Sequence, residues 1–292
     1  KRIMYGYGLR YAKINGAAGT GLLDFYGGAG LAYSFRKLRS GYSGSSIRAR
    51  ESSGNTEQDI GFVSDVLDTS SLLTFTGANS GFTPIIYDQS TRGVNLIQAT
   101  AGNQLEIVNA GSLVTSNLLA ATQGSSSRGG GTPSVIAFSG MSEFWFFDAI
   151  EVTNTASTQV LYESSSNLAN AGAFLIYLSG GNLKIANRIS GVNATNDYII
   201  TTGRKIISIR LISGVDRTLF TEVYVNGVEI AISGSSGFGT SSFTDQGLYV
   251  GARAGTGLGF LGKRQESIFY PSDQSANRVG IETNLNTYYG IY

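Results

Sequence analysis

The segment IIYDQS places an acid, an amide and a hydroxyl directly after an apolar pair, where a strand is expected to leave the core. A carboxylate, a planar amide and a guanidinium beside an aromatic ring can together bind sugar hydroxyl groups. The candidate carbohydrate-binding residues are therefore Tyr87, Asp88, Gln89, Arg92 and Asn95. The alternative is structural, because Asp and Ser side chains readily accept backbone N–H groups at the end of a strand. The residue types favour the structural turn and leave the sugar contact as the second hypothesis.

Acid catalysis is the other chemistry that these residue types could support, and it needs two carboxyl groups that converge. A retaining glycosidase holds them about 5–5.5 Å apart and an inverting one about 6.5–9.5 Å apart. The acids that could contribute are Asp88, Glu163, Asp216 and Glu266. The sequence does not show that any two of them converge, and Glu266 is expected on a strand face, paired with Lys263 or Arg264. We therefore predict that the chain is not an enzyme, with a glycoside hydrolase as the alternative.

The chain of 292 residues contains no histidine and no cysteine. This composition excludes the commonest general base, the usual nucleophile triads, disulfides and thiolate metal sites. A calcium ion held by Asp, Asn and backbone oxygens is still compatible with it. Because Asp197 and Asp245 are isolated acids rather than parts of an acidic loop, we predict no metal and no cofactor.

The charge balance argues against two classes of partner. Lys plus Arg number 21 against 20 for Asp plus Glu, so no strong field would attract nucleic acid or an anionic membrane. No segment approaches the roughly 20 apolar residues that span a bilayer, so we predict no membrane insertion. Only 14% of the residues are charged, and a chain solubilised by Gly, Ser, Thr and Asn is typical of extracellular and virion proteins.

Three short helices are expected from the spacing of apolar residues. The first covers residues 31–38, and the second begins after Asp68 or Thr69 and ends at Gly77. The third lies at the C-terminus and begins after Ser272 or Asp273.

The remainder of the chain predicts β-structure. From residue 142 onward, short apolar strands alternate with Gly, Asn, Ser and Thr clusters, and Asn226-Gly227 marks a two-residue hairpin. We predict an all-β, two-sheet antiparallel jelly-roll sandwich over residues 21–292, with an exposed loop at 110–134. Residues 1–20, which mix basic residues, Tyr and Gly without a period, are predicted to form an extended N-terminal arm.

Several segments together carry a resemblance to known proteins: the stretch from AYSFRKLRSGYSG to GFTPIIYDQSTRGVNLIQ, followed by EVYVNGVEIA, LYVGARAG and FYPSDQS. In these segments the chain resembles structural proteins of tailed phages that contain a concanavalin A-like, or laminin-G-like, lectin/glucanase module. A similar YDQS segment occurs in arabinofuranosidase catalytic domains, which have a concanavalin A-like sandwich. Those domains are cysteine-rich, and their segment has an aromatic residue where Ile86 stands here.

The resemblance implies a virion protein of the fibre, tail-associated or head-decoration type, located on the virion surface or otherwise outside the cell. Its partners would be other virion proteins and copies of itself, contacted through residues 1–20, and its loops would bind a glycan of the host surface. The alternative function is a secreted carbohydrate-active enzyme or a carbohydrate-binding module of the arabinofuranosidase-like type.

Overall fold

The computed structural model describes residues 21–165, 168–189 and 191–292. The predicted arm at residues 1–20 lies outside the described residues, so it stays a prediction. The described residues form three α-helices and 24 strands. The helices are α1 Leu22–Phe25, α2 Thr69–Thr76 and α3 Arg278–Tyr289. Two 3-10 turns cover Ala101–Asn103 and Phe138–Gly140.

Most strands of the first half are short. They are β1 Leu31–Ser34, β2 Ile47–Glu51, β3 Glu57–Ile60, β4 Phe62–Val63, β5 Val66–Leu67, β6 Gly81–Ile86, β7 Leu96–Ile97, β8 Leu105–Asn109, β9 Ser112–Leu113, β10 Thr115–Ser116, β11 Leu119–Ala120, β12 Thr122–Gln123 and β13 Gly130–Gly131. The longer strands follow. They are β14 Glu143–Val152, β15 Gln159–Ser164, β16 Phe174–Ser179, β17 Asn182–Ile189, β18 Val192–Ile199, β19 Gly203–Ile212, β20 Thr221–Val225, β21 Val228–Glu229, β22 Gly234–Ser236, β23 Leu248–Val250 and β24 Lys263–Tyr270.

Most of the strands build two antiparallel sheets that pack face to face, while β4–β5 and β10–β11 form separate two-stranded sheets. The first sheet has the order β21-β20-β19-β14-β24-β1. The second has the order β22-β18-β17-β16-β15-β23-β13-β7-β6-β2-β3. Strands β8 and β12 connect them, because β8 pairs with β6 while β12 pairs with both β8 and β24. The predicted two-sheet antiparallel sandwich, with a few short helices and one at the C-terminus, is confirmed.

Strand β14 shows why an almost continuous apolar run can form a strand here. Phe144 and Phe146 point between the sheets, where the ring of Phe146 lies 5.9 Å from that of Phe174. Trp145 and Phe147 point to the other face and pack against α3 residues such as Leu285. Both faces of β14 are therefore buried, and the strand loses the apolar-polar alternation that a half-exposed strand has.

The predicted helix over residues 31–38 is wrong. Residues 31–34 form β1, which pairs antiparallel with β24, so that Leu31 lies opposite Phe269. All four β1 residues are buried, and the ladder with β24 pairs the backbone groups on one edge of the strand over a long sequence separation. Pairing with a distant strand outweighs the local helical spacing of the apolar residues.

The local turn and cap signals were more reliable. Asp68 caps α2 by accepting the Ser71 N–H at 3.0 Å, and Gly77 ends the helix at φ 57°. Asn226 and Gly227 form the predicted hairpin turn with φ values of 53° and 80°, the left-handed pair that a type I′ turn requires.

The start of α3 and the segment 110–134 differ from the prediction. Helix α3 begins after Asn277 rather than after Ser272 or Asp273. The segment predicted as an exposed loop contains strands β9 to β13, and Ala121 and Thr122 within it are buried. It lies along the open edges of β8, β23 and β24, whose backbone groups hold it to the sandwich.

Candidate functional site

Asp88, the acid of the IIYDQS segment, is buried and bonded to its own chain. Its Oδ1 accepts the backbone N–H groups of Ala32 at 2.8 Å and Ser90 at 2.9 Å. Its Oδ2 accepts the Val94 N–H at 2.9 Å and the Ser90 hydroxyl at 2.6 Å. Asn95 completes the turn, since its Oδ1 accepts the Asp88 N–H at 3.0 Å. The carboxylate therefore serves backbone groups that no sheet ladder pairs.

Gln89 is also fully buried and connects β6 to the chain that follows β1. Its Oε1 accepts the Leu38 N–H at 2.7 Å, and its Nε2 donates to the carbonyls of Ser34 and Arg36 at 2.9 and 3.0 Å. Asp88 and Gln89 thus hold residues 32–38 against the second sheet. This is the geometry that the structural hypothesis for the segment describes.

The other predicted sugar-binding residues keep accessible surface. Arg92 is exposed, and Tyr87 and Asn95 are half-buried. The Tyr87 hydroxyl donates to Asp59 Oδ1 at 2.7 Å, and burial together with this bond raises the pKa of Tyr87 to about 12. Sugar binding at these residues stays a prediction.

Glu266 belongs to a buried ion pair with Arg36. The Arg36 guanidinium donates to both of its oxygens, Nε to Oε2 at 2.7 Å and Nη2 to Oε1 at 2.9 Å. The Ser34 and Tyr289 hydroxyls donate to Oε2 at 2.7 and 2.8 Å. The predicted partners lie elsewhere, since Arg264 pairs with Asp148 and Lys263 with Glu151. Fully bonded, Glu266 cross-links β1, β24 and α3.

Glu163 lies on β15 and projects to the outer face of the second sheet, the side away from the core between the sheets. It lies opposite Leu175 on β16 and Tyr249 on β23. Leu175 packs in a small cluster with Val160 and Tyr177, separate from the main core. In the sequence Glu163 precedes the polar run SSSN, which is typical of a turn, but the residue lies inside β15 and its side chain is inaccessible.

Arg253 covers the Glu163 carboxylate. Its Nε lies 3.3 Å from Glu163 Oε1, a contact of opposite charges that does not have hydrogen-bond geometry. Glu163 Oε2 accepts the Ala254 N–H at 3.3 Å. Glu163 Oε1, Arg253 Nε and the nearby Ser165 Oγ are buried polar atoms without a hydrogen-bond partner. Burial raises the pKa of Glu163, although the Arg253 charge and the Ala254 N–H oppose the rise.

The loop that carries Arg253 is fixed from the sheet. Arg253 and Gly257 form an isolated bridge, and Ala254 and Gly255 adopt φ values of 50° and 73°. The Gln98 side chain donates to the Gly255 carbonyl at 2.7 Å. The loop thus turns back on itself, and the Arg253 guanidinium reaches the outer face over Glu163.

Two tyrosines and a second ion pair border this position. Tyr249 lies against Gly131, where an added Cβ would come within 2.9 Å of the tyrosine ring. Tyr177 lies opposite Lys184, which forms an ion pair with Asp197 on the next strand. Burial raises the pKa of Tyr177, and the charges of Lys184, Asp197 and Arg253 all act on it. We call Glu163, Arg253, Tyr177 and Tyr249 the outer-face site.

The outer-face site does not match the two-carboxylate geometry of a glycosidase. Glu163 faces a guanidinium, and Asp197 lies three strands away on β18. At about 4.8 Å between neighbouring strands, that separation is about 14 Å, beyond the range of inverting enzymes. Within residues 21–165, 168–189 and 191–292, no group of three acids is placed to hold a metal ion.

Sequence reasoning missed Arg253, and Glu163 was only one of several acids. The two lie 90 positions apart, and the β15–β23 pairing brings them together. In the sequence, the stretch GARAGTGLGF has the composition of a flexible hairpin. A Gly-rich turn does not show which face of the sheet an intervening side chain will reach, so Arg253 could not be placed. The sequence feature that could have identified the site is an acid within an apolar strand segment. The polar run SSSN after Glu163 instead made it look like part of a turn.

Comparison with known proteins shows a likeness of fold. No protein-family model and no curated protein match the chain. A solved arabinofuranosidase complexed with arabinofuranosyl-α-1,2-xylobiose matches with 17% identity and a TM-score of 0.59. A mutant GH54 α-L-arabinofuranosidase soaked with 4-nitrophenyl α-L-arabinofuranoside matches with 18% identity and a TM-score of 0.63. Each match covers 88% of this chain and 62% of the other, so the chain spans less than two thirds of those proteins.

At such low identity the likeness concerns the fold alone. The shared YDQS segment and the phage origin therefore stay predictions, and the solved structures named above do not support a virion role. Among the described residues, no helix is long and apolar enough to cross a membrane.

Proposed function

We propose that this chain is a carbohydrate-binding protein that holds its ligand at the outer-face site without hydrolysing it. The observation that carries the proposal is the Glu163–Arg253 pair, which leaves unpartnered polar atoms beneath a partly exposed guanidinium between two tyrosines. Convergent polar groups beside aromatic rings are typical of sites that bind polar small molecules.

The charge of the site favours a neutral ligand. Glu163 offsets Arg253, and Asp197 offsets Lys184, so neither pair leaves a net charge on the face. The guanidinium still has N–H donors that the carboxylate does not occupy, and these suit sugar hydroxyls. A phosphate or a carboxylate ligand would have to compete with an existing carboxylate for Arg253.

The group that faces Glu163 supports the proposal that the ligand is not hydrolysed. Two-carboxylate glycosidases need a second carboxyl group near the first to protonate the leaving group or to activate water. The group that faces Glu163 is a guanidinium, which has N–H donors and no acceptor oxygen, so Arg253 is not that second carboxyl group. The fold likeness to arabinofuranosidases supports arabinose- and xylose-containing polysaccharides as the first ligands to test.

Isothermal titration of the purified chain with arabinan, arabinoxylan and a panel of bacterial surface glycans tests the proposal. Arg253→Ala should weaken binding at least tenfold, whereas Arg92→Ala, a matched change in the other candidate site, should leave it unchanged. The reverse ranking would move the ligand to the IIYDQS turn, and no binding to any probe would reject the function.

A separate assay tests the absence of catalysis. Wild-type protein should release no 4-nitrophenol from 4-nitrophenyl α-L-arabinofuranoside. Release that disappears in Glu163→Gln would make the chain a glycoside hydrolase and overturn this half of the proposal.

A virion role is compatible with a glycan-binding sandwich and rests on the sequence resemblance alone. In that setting the glycan would belong to the host surface, and residues 1–20 would contact other virion proteins or copies of the same chain. Mass spectrometry of purified particles, with antibody labelling of intact ones, tests both the role and the surface location. Absence of the chain from the particles would reject them.

A further inference from the structure

We infer that the ligand of the outer-face site is an extended oligosaccharide that crosses the strands, and not a single terminal sugar. This inference rests on the proposed function and adds the shape of the ligand. It follows from a row of residues that lie directly opposite one another on six neighbouring strands of the second sheet. The row consists of Arg48, Ile85, Ile97, Gly131, Tyr249 and Glu163.

The row lies on one face of the sheet. Residues directly opposite in an antiparallel pair project to the same side, so the face that Glu163 occupies continues to Arg48. The alternate residues Ile86 and Leu96 are buried in the main core on the other side. Ile85 and Ile97 are half-buried, which leaves an apolar floor accessible beside the outer-face site.

The length of the row sets the size of the ligand. Five inter-strand spacings separate Glu163 on β15 from Arg48 on β2. At about 4.8 Å each, the row is about 24 Å long, much longer than one sugar ring. In the middle of the row Gly131 has no side chain, and the Tyr249 ring occupies the space that one would fill.

Tyrosines lie along the same face at intervals. Across the strands, Tyr177 and Tyr249 are two spacings apart, about 10 Å, and Tyr249 and Tyr87 are three spacings apart, about 14 Å; Tyr177 and Tyr87 are each displaced from the row by two residues along the chain. Tyr87 shares the face because it follows Ile85 by two residues. All three rings are half-buried, so each offers an apolar surface for a sugar ring. Successive units of one chain can therefore stack at successive positions.

Polar side chains lie at both ends of the row. At one end Arg48 pairs with Asp59 at 2.8 Å, and Asp59 also accepts the Tyr87 hydroxyl. Beyond the Glu163 end, on β17 and β18, Lys184 pairs with Asp197. Both pairs are neutral and rich in donors and acceptors for hydroxyl groups, while the middle of the row is apolar. A flexible neutral polysaccharide matches this order of surfaces.

Titration with a length series tests the inference. The probes are arabinan and arabinoxylan oligosaccharides, from monosaccharides to octasaccharides, measured by calorimetry on wild type, Arg253→Ala and Tyr87→Ala. Affinity should rise with length to about the pentasaccharide. Tyr87→Ala should weaken the long probes about fivefold, as expected for one lost aromatic contact, and leave the short ones unchanged. Tyr87→Phe should restore the long-probe affinity, and Tyr292→Ala, which removes an exposed tyrosine elsewhere, should have no effect.

The outcomes separate this inference from the proposed function. An affinity that stops rising at the disaccharide, or a Tyr87→Ala variant that binds long probes like wild type, would overturn the extended ligand. If Arg253→Ala still abolished binding in that case, the outer-face site would stand as a site for a terminal sugar. Failure of every probe to bind wild type would reject the proposed function and the inference with it.

Discussion

Replacing Asp88 with asparagine separates a structural acid from one that contacts a ligand. In the folded protein the carboxylate accepts three backbone N–H groups, from Ala32, Ser90 and Val94, and the Ser90 hydroxyl. An asparagine keeps only one acceptor oxygen, and its NH₂ group must face donors that the second carboxylate oxygen had served.

The expected loss of stability follows from the N–H donors that are left without an acceptor. If the amide oxygen takes the Oδ1 position, the Val94 N–H loses its partner. In the flipped orientation the Ala32 and Ser90 N–H groups lose theirs. Each buried donor without a partner costs about 1–3 kcal/mol, and the charge-assisted bonds that remain become weaker neutral ones. Asp88→Asn should therefore lower the free energy of unfolding by about 2–4 kcal/mol.

Urea unfolding followed by the fluorescence of Trp145, the single tryptophan and a fully buried one, measures this change. Arg92→Ala, in the same segment but exposed, serves as the control and should shift stability by less than about 0.5 kcal/mol. A stable Asp88→Asn variant that no longer binds carbohydrate would refute the structural account of the segment and make Asp88 a ligand contact.

Three further changes test other parts of the structure. Because burial raises the pKa of Glu163, the folded protein retains this proton to higher pH than the unfolded chain. The stability of the wild type should therefore fall relative to that of Glu163→Gln as the pH rises from 4.5, the ordinary pKa of a glutamate, through the raised pKa of the folded protein. Melting temperatures of the two proteins that change in parallel with pH would contradict this. Gly227→Val should cost about 1–2 kcal/mol, since Gly227 has φ 80°, and an unchanged melting temperature would mean that the turn tolerates a side chain. Arg36→Ala should cost about 3–5 kcal/mol in urea unfolding, because Glu266 then stays buried without its counter-ion. A loss below about 1 kcal/mol would show that water reaches Glu266.

The features that the sequence predicted correctly are encoded by neighbouring residues. The Asn226-Gly227 turn and the cap of α2 by Asp68 depend on backbone preferences within four positions of the chain. The jelly-roll class follows from many such signals taken together. Residues 31–38 were misassigned because β1 owes its conformation to β24, more than 200 positions away.

The candidate site depends on contacts of the same distant kind. The sequence shows the polar residues of IIYDQS, but it does not show that Asp88 accepts a hydrogen bond from the N–H of Ala32. Glu163 likewise has the sequence context of a turn residue. In the structure, β23 pairs with β15 and brings Arg253 over it. In both cases the residue types suggested the chemistry, and only the strand pairing showed which groups are bonded and which stay free.

The position of β24 has a consequence for synthesis of the chain. This strand lies between β1 and β14 and pairs with both. The hydrogen bond from Ser34 to Glu266 cannot form until Glu266, 232 positions later in the chain, has been synthesised. At about 5–20 residues per second, a ribosome needs roughly 10–50 s to make that interval. Until then β1 and β14 have open, apolar edges of the kind that pair with other chains. Soluble yield should therefore depend on protecting the nascent chain until β24 has been made.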